Sequence, residues 1–214
     1  MIYSEGYVGK VYYRDLTLHI PMEVYNPAED TFLLAENLKV RPGDSVLDMG
    51  TGCGIIAILA ARKAETVLAV DVNPHAARCA WVNGKLNGVS DRLSVVCGDL
   101  FKPIRGNLKF DLITFNPPYL PSDRRETVKP TERGWLSLAW SGGGTGRELI
   151  DRFIEEAPQH LRGGGRILLI QSDITDVGET VRRLKARSLK ASVIAEEKVP
   201  FERIYLIEAE KPSG

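Results

Sequence analysis

From residue 44 onward the chain alternates short β-rich runs with helical stretches. The segments 44–50 (DSVLDMG), 66–71 (TVLAVD), 92–99 (RLSVVCGD), 110–115 (FDLITF) and 165–172 (GRILLIQS) read as strands. The apolar stretch 54–64, with its basic end, predicts a helix. A second covers 74–88, with Asn73 as cap and Pro74 at the first helical position. Thr145 and Glu148 form a T-x-x-E capping box that opens a helix to about His160, and 175–187 is a helix with a basic tail. Two more strands, 191–199 and 203–210, close the chain with no helix between them, so one is antiparallel. This alternation predicts an α/β, doubly wound, mostly parallel sheet with ligand sites at the carboxyl ends of its strands.

Ahead of the sheet, 7–20 reads as a β-hairpin turned at Arg14-Asp15. Residues 26–38 read as a helix capped by Asn26, with Pro27 first and Glu29 three after the cap. The hairpin and helix of 1–40 are expected to belong to one unit with 41–214, because 214 residues suffice for one sizeable core and are short for two.

Composition narrows the class. Hydrophobic residues at 43% and charged residues at 26% are those of an ordinary globular protein. The balance of 28 basic against 28 acidic residues argues against a dedicated nucleic-acid binder. No signal peptide is visible in MIYSEGYVGK and no apolar run approaches a membrane span, so a cytoplasmic protein is expected. Cys53, Cys79 and Cys97 fit no zinc or disulfide spacing and read as reduced core residues. His19, His75 and His160 read as surface or edge residues, and no metal site is expected.

The chemistry gathers at strand ends. DMGTGCG (48–54) joins the first strand to its helix, and Gly50 and Gly52 let the backbone turn and approach a ligand. A nicotinamide fingerprint would want a small residue where Ile55 stands, and Asp48 is a poor neighbour for a pyrophosphate; a cationic cofactor suits it better. Asp71 and Asp99 end the next two strands. Each could merely cap the following helix, but three acids in register beside a glycine loop point to cofactor binding. Asp71 is placed for ribose hydroxyls, Asp99 for an exocyclic amine, and the Leu100 N–H for a ring nitrogen of adenine. An adenosine with a positive centre describes S-adenosylmethionine. The fourth strand ends in Asn116-Pro117-Pro118-Tyr119, where Asn-Pro chemistry alone would explain a turn.

Together VLDMGTGCG (46–54), Asp71 followed by Asn73-Pro74, GDLF (98–101) and NPPY (116–119) resemble the class I S-adenosylmethionine-dependent methyltransferases, in order and over nearly the whole chain. The resemblance implies a Rossmann-like, seven-stranded sheet in the order 3-2-1-4-5-7-6, and S-adenosylhomocysteine as a product. In that family the tetrad marks enzymes that methylate a planar nitrogen of adenine, cytosine or glutamine. The Asn116 side-chain oxygen and the Pro117 carbonyl would hold the two N–H bonds, with Tyr119 stacked on the planar group.

VYNPAEDTFLL (24–34) and AWSGGGTGRELIDRF (139–153) are similar to the short archaeal and eukaryotic branch of the HemK-type glutamine N5-methyltransferases, which modify the Gly-Gly-Gln loop of class I translation release factors. By that resemblance Thr31 and the Asp48–Gly50–Gly52 loop meet the methionine part, Asp71 the ribose, Asp99 and Leu100 the adenine, and Asn116 the glutamine amide. No helical substrate-recognition domain of the bacterial kind precedes the sheet. The resemblance implies instead a small zinc-binding activator of the Trm class, docked on the edge strand from Leu93 to Gly98. The basic loop 120–144, with Arg124, Arg125, Lys129 and Arg133, reads equally as a substrate-receiving loop and as a solvated charge run. Two rival readings are an adenine-N6 methyltransferase acting on RNA or DNA, and a non-catalytic subunit that keeps the cofactor loop. Neutral charge opposes the first and the intact tetrad the second.

Overall fold

The computed structural model describes residues 7–121 and 134–214. At its start β1 (Tyr7–Tyr13) and β2 (Leu16–Pro21) pair antiparallel about a turn in which Arg14 takes φ +55°. Alternation along β2 buries Leu16, Leu18 and Ile20 on one face. Then follow α1 (Glu29–Glu36), β3 (Ser45–Met49), α2 (Ile55–Ala61), β4 (Thr66–Asp71), α3 (Pro74–Leu86), β5 (Leu93–Cys97), β6 (Phe110–Phe115), α4 (Gly134–Leu138), α5 (Glu148–Glu156), β7 (Leu161–Ser172), α6 (Val177–Ala186), β8 (Lys190–Val199) and β9 (Glu202–Glu210).

Strands β3 to β9 make one sheet in the order β5-β4-β3-β6-β7-β9-β8, and β9 alone runs antiparallel to its neighbours. Counted from β3, this is the order implied by the family resemblance. The central strands β3 and β6 are buried on both faces, which is why their sequences run apolar without alternation. One face is covered by α1, α2, α3 and the hairpin, through Leu34, Ile58, Cys79 and Leu18. The other is covered by α5, α6 and the turn after β5, through Phe153, Leu184 and Phe101. Phe153 is the hub of that second face, with ring centroids 4.7 Å from Phe115 and 5.7 Å from Phe101. Truncating it to alanine would cost about 3–5 kcal/mol.

Two asparagines on α3 fasten the hairpin. Buried Asn83 accepts from the His19 N–H at 2.9 Å and donates to the carbonyls of His19 and Cys53, while Asn87 accepts from the Thr17 N–H and donates to its carbonyl. These side chains supply β2 with the pairing that a neighbouring strand would otherwise give. Gly54, at φ +87°, lets α2 start against α3, since a Cβ there would lie 2.9 Å from Ala80 Cα.

Several local expectations are corrected. Asn26 does not cap α1: the helix begins at Glu29 after extended Ala28, so the first free N–H groups do not converge on Asn26. Asp30 turns back instead and accepts from the Thr31 N–H. The Thr145–Glu148 box does not form either. Gly143 and Gly146 take positive φ and break the helical path, α5 opens at Glu148, and the Glu148 carboxylate reaches the Gly144 N–H at 3.1 Å. His160 is buried, stacked 4.9 Å from Phe101 and 3.0 Å from the Leu108 carbonyl. Cys53 and Cys79 are buried as expected, but Cys97 is exposed because β5 is an edge strand. The far end of the 120–144 loop carries α4 and folds back on the tetrad, with Leu120 N–H bonded to Trp140 O and Gly142 N–H to Leu120 O, both at 2.9 Å. Arg124, Arg125, Lys129 and Arg133 lie outside the described residues.

Candidate active site

The carboxyl ends of β3, β4, β5 and β6 open into a cavity of about 440 Å³. All ten residues singled out from the sequence line it: Thr31, Asp48, Gly50, Gly52, Asp71, Asp99, Leu100, Asn116, Pro117 and Tyr119. No Lys or Arg is among the described lining residues.

The three strand-end acids are held in different ways. Asp48 is buried at the end of β3 and accepts from the hydroxyls of Thr51 and Thr114, each at 2.7 Å; Thr114 is its register partner on β6. Burial pushes Asp48 up to about 6, against those two hydroxyls and with the Asp71 charge adding to the rise. Asp71, ending β4, accepts from the backbone N–H of Gly52 and of Asn73, one on each oxygen at 2.9 Å. It thereby fixes the glycine loop, while burial raises its carboxyl above the ordinary range. Asp99 sits against Lys102 and Arg152, both 2.8 Å from Oδ2. Burial opposes its ionisation, but the bonds from Arg152 and Lys102 win and hold it below the usual carboxylate range. Leu100 beside it takes φ +47°.

The glycine loop leaves room because side chains are absent. Gly50 takes φ +64°, and a Cβ there would stand 3.1 Å from the Phe115 ring. A larger residue would press on the strand that carries the tetrad.

Asn116 is oriented by a chain of hydrogen bonds that the sequence did not foretell. Its Nδ2 donates to Thr31 Oγ1 at 3.3 Å, and the Thr31 hydroxyl donates to Asp30 Oδ1 at 3.0 Å. Asp30, itself buried, is bridged by the Tyr25 hydroxyl, 3.2 Å from both carboxylate oxygens. The side-chain nitrogen being thus committed, Asn116 Oδ1 is the atom left to accept a donor. It is buried and has no hydrogen-bond partner among the described residues. Leaving a buried acceptor unpaired costs about 1–3 kcal/mol, the signature of a site built for a donor it does not itself supply.

Tyr25, Trp135, Leu138 and Trp140 also line the cavity, with Tyr25 edge-on to Trp140 at 6.4 Å. Burial, followed by the charges of Asp30, Glu202 and Glu29, keeps the Tyr119 phenol protonated well above its ordinary range. Sequence reading missed Tyr25, Asp30, Trp135, Trp140 and Glu202. Tyr25 and Asp30 stood inside the quoted VYNPAED stretch and Trp140 inside AWSGGG, without a role assigned to them; Trp135 and Glu202 carry no local pattern.

The family model for the Methyltransferase small domain matches residues 28–130. A Methanocaldococcus jannaschii protein, provisionally named a protein N5-glutamine methyltransferase, is 42% identical over 195 residues, covering 91% of this chain and 95% of that protein. Mouse Methyltransferase HEMK2 is 34% identical over 197 residues, covering 87% of this chain and 86% of that one. This chain belongs to the HemK-type methyltransferase family.

A bacterial member, the release factor glutamine methyltransferase of Cereibacter sphaeroides, is 34% identical over 191 residues, but this chain covers only 66% of its length. Among solved structures, the E. cuniculi Mtq2–Trm112 complex, responsible for methylating the eRF1 termination factor, matches with TM-score 0.64 and 28% identity. It covers 89% of this chain and 99% of that one. Membership in a methyltransferase family implies use of S-adenosylmethionine, and the site of this HemK-type enzyme fits it. A cavity lined by acids, an unpartnered amide oxygen and no described cation suits a sulfonium ligand and rejects a pyrophosphate. Among the described residues no cluster of His, Cys, Asp or Glu is placed to hold a metal, and no helix is long and apolar enough to cross a membrane.

Proposed function

We propose that this HemK-type enzyme transfers a methyl group from S-adenosylmethionine to the side-chain nitrogen of the glutamine in the Gly-Gly-Gln motif of a class I translation release factor, in the cytoplasm. The observation that carries the reading is the buried, unpartnered Oδ1 of Asn116, a residue of the cavity wall whose Nδ2 is already committed to Thr31 and, through it, to Asp30. The names of the relatives, and the eRF1-methylating neighbour, support the same substrate.

Bound S-adenosylmethionine supplies an electrophilic methyl group on a cationic sulfur. Asp48 and the Gly50–Gly52 loop, with Thr31, would hold its methionine part; Asp71 would take the ribose hydroxyls, and Asp99 with the Leu100 N–H the adenine. An amide nitrogen is a poor nucleophile because its lone pair is delocalised. Asn116 Oδ1 and the Pro117 carbonyl would accept its two N–H bonds, leave the lone pair free to react, and stabilise the positive charge that develops on the nitrogen. The nitrogen grows acidic as it is alkylated and would pass one proton to solvent as the methylated amide leaves, with neutral S-adenosylhomocysteine as the other product, so no strong base is required. Tyr119, kept neutral, covers the planar group and excludes water. The hairpin and α1 belong to the same folding unit as the sheet, since Thr31 and Asp30 on α1 complete the site.

The partner belongs to β5. The two sheet edges differ: β8 carries Glu196, Glu197 and Lys198 and a register shift between Val193 and Ala195, the devices that discourage strand pairing. β5 reads Leu-Ser-Val-Val-Cys, without charge or irregularity, and Val96 and Cys97 are exposed on it beside half-exposed Val72. A small zinc-binding activator of the Trm class would cover that edge.

The test offers labelled S-adenosylmethionine with a class I release factor, its Gln→Ala variant, and RNA or DNA, with and without the activator. Label on the wild-type factor and not on the variant supports the reading. Label on nucleic acid alone would replace it with an adenine methyltransferase.

A further inference from the structure

Two buried acceptor atoms on the cavity wall lack a partner among the described residues, and only Asn116 Oδ1 has been given a role. The second is Oε2 of Glu202. Its place in the sheet argues for what it meets. Asp48, Asp71 and Asp99 follow or end β3, β4 and β5, all to one side of β6, which carries Asn116. Glu202 opens β9, which lies on the other side of β6 beyond β7. It therefore stands on the half of the cavity away from the three acids, and its charge reaches the Tyr119 phenol.

The turn that delivers it is unusual. Val199 pairs with Glu202, so Pro200 and Phe201 alone connect β8 to β9. Proline followed by a positive-φ position is type II turn chemistry, where glycine is the ordinary choice. Here the position is Phe201, at φ +74°, with its ring fully exposed (105%). A bulky side chain in that region is strained, and such strain persists where the surroundings fix it, often at functional sites. The result is a fully exposed aromatic ring and a carboxylate on the cavity wall, on consecutive residues.

We propose that Glu202 is a substrate-binding residue whose carboxylate accepts an N–H hydrogen bond from the backbone of the peptide that presents the acceptor nitrogen. This rests on the protein-glutamine reading above. The amide's own two N–H groups are taken by Asn116 and Pro117, so the donors left on such a peptide are its main-chain N–H groups. Glycines next to the glutamine let that main chain come close to the wall. The carboxylate also sets specificity, because it turns away a peptide that brings an acidic side chain to the same spot.

The experiment compares wild type, Glu202→Ala and Glu202→Gln in steady-state methylation of a release factor, with S-adenosylhomocysteine affinity by calorimetry and melting temperature on the same proteins. A charged hydrogen bond of this kind predicts a KM for the release factor raised about tenfold or more in Glu202→Ala, kcat within about threefold, and S-adenosylhomocysteine affinity within about twofold. Glu202→Gln keeps an acceptor and should recover part of the loss. The melting temperature should hold or rise, since a buried atom without a partner is removed; a purely structural carboxylate would lower it. Gly-Gly-Gln peptides N-methylated at one main-chain position at a time, used as competitive inhibitors, should show one position where wild type weakens about tenfold and Glu202→Ala does not. An unchanged KM in Glu202→Ala, a matching fall in S-adenosylhomocysteine affinity, or no such position overturns the assignment. If the wild type labels no glutamine, the release-factor reading falls and takes this one with it; a labelled wild type with an indifferent Glu202→Ala sinks this one alone.

Discussion

The two halves of the cavity are built on opposite terms. On the half proposed for the cofactor, every carboxylate is already engaged: Asp48 by two threonine hydroxyls, Asp71 by two backbone N–H groups, Asp99 by Lys102 and Arg152. On the half proposed for the acceptor, Asn116 Oδ1 and Glu202 Oε2 are buried without a donor among the described residues. The first half contributes to stability before anything binds and offers a fixed shape. The second half costs stability and recovers it only when a ligand brings its N–H groups. Affinity for the cofactor and recognition of the acceptor should therefore come apart under mutation.

The largest effect expected is on turnover. Asn116→Ala should lower kcat by about 10²–10³-fold while S-adenosylhomocysteine affinity stays within about threefold. Equal losses in both would erase the distinction between the halves. Asp71→Ala should do the reverse. Cofactor affinity should fall by more than tenfold, and the Gly52 and Asn73 N–H groups lose their partner at a cost of about 1 kcal/mol or more in stability. Asn116→Ala should melt near the wild-type temperature, so parallel shifts in the two variants would again break the contrast. Thr31→Val removes the acceptor that holds Asn116 Nδ2 and lets that amide turn over. A drop in kcat of about tenfold, rescued by Thr31→Ser, would separate positioning from simple packing.

The smallest effect concerns pH. The Asp48 carboxyl is raised to about 6 from the model-compound value of 3.8, so between those two values the folded chain holds a proton that the unfolded chain has released. Its contribution to stability is then full below about 4 and lost as pH rises through about 6. A cationic ligand favours the ionised form, so affinity for S-adenosylmethionine should increase over the same interval by a few-fold. S-adenosylhomocysteine should follow less steeply, and Asp48→Asn should flatten both curves. A slope of opposite sign in calorimetry across pH 4 to 7 would show that Asp48 does not face the positive charge.

What was legible in the sequence was what is local. β4 and β6 fall on their expected residues because Asp71 and the Asn116-Pro117 pair end them chemically. The sheet order followed from recognised motifs in recognised sequence, and the ten expected site residues converge for the same reason. The misreadings arose where tertiary contacts overrule a short pattern. Asn26 and Thr145 had cap sequences, but extended Ala28 in one case and the positive-φ glycines 143 and 146 in the other moved the helix starts. His160 closes a helix and read as an edge residue, but stacking on Phe101 draws it inward. Glu202 lies far along the chain from the other residues that line the cavity, so no spacing rule could attach it to the site, whereas Trp140 stood in a quoted stretch that gave its side chain no chemical role. Asp30 was quoted for its motif, yet its link to Asn116 through Thr31 appears only when α1 lies beside β6.

The uncharged edge of β5 has a consequence for how much free enzyme a solution can hold. Its outward N–H and C=O groups accept any extended chain, including the same strand of a second copy, and nothing along Leu93 to Cys97 repels it. Loss through that route grows with the square of concentration, whereas capture by a small partner grows only in proportion to it. The supply of whatever covers β5 would then act as a ceiling on the enzyme's working amount, set by one bare strand rather than by the chemistry at the other end of the sheet.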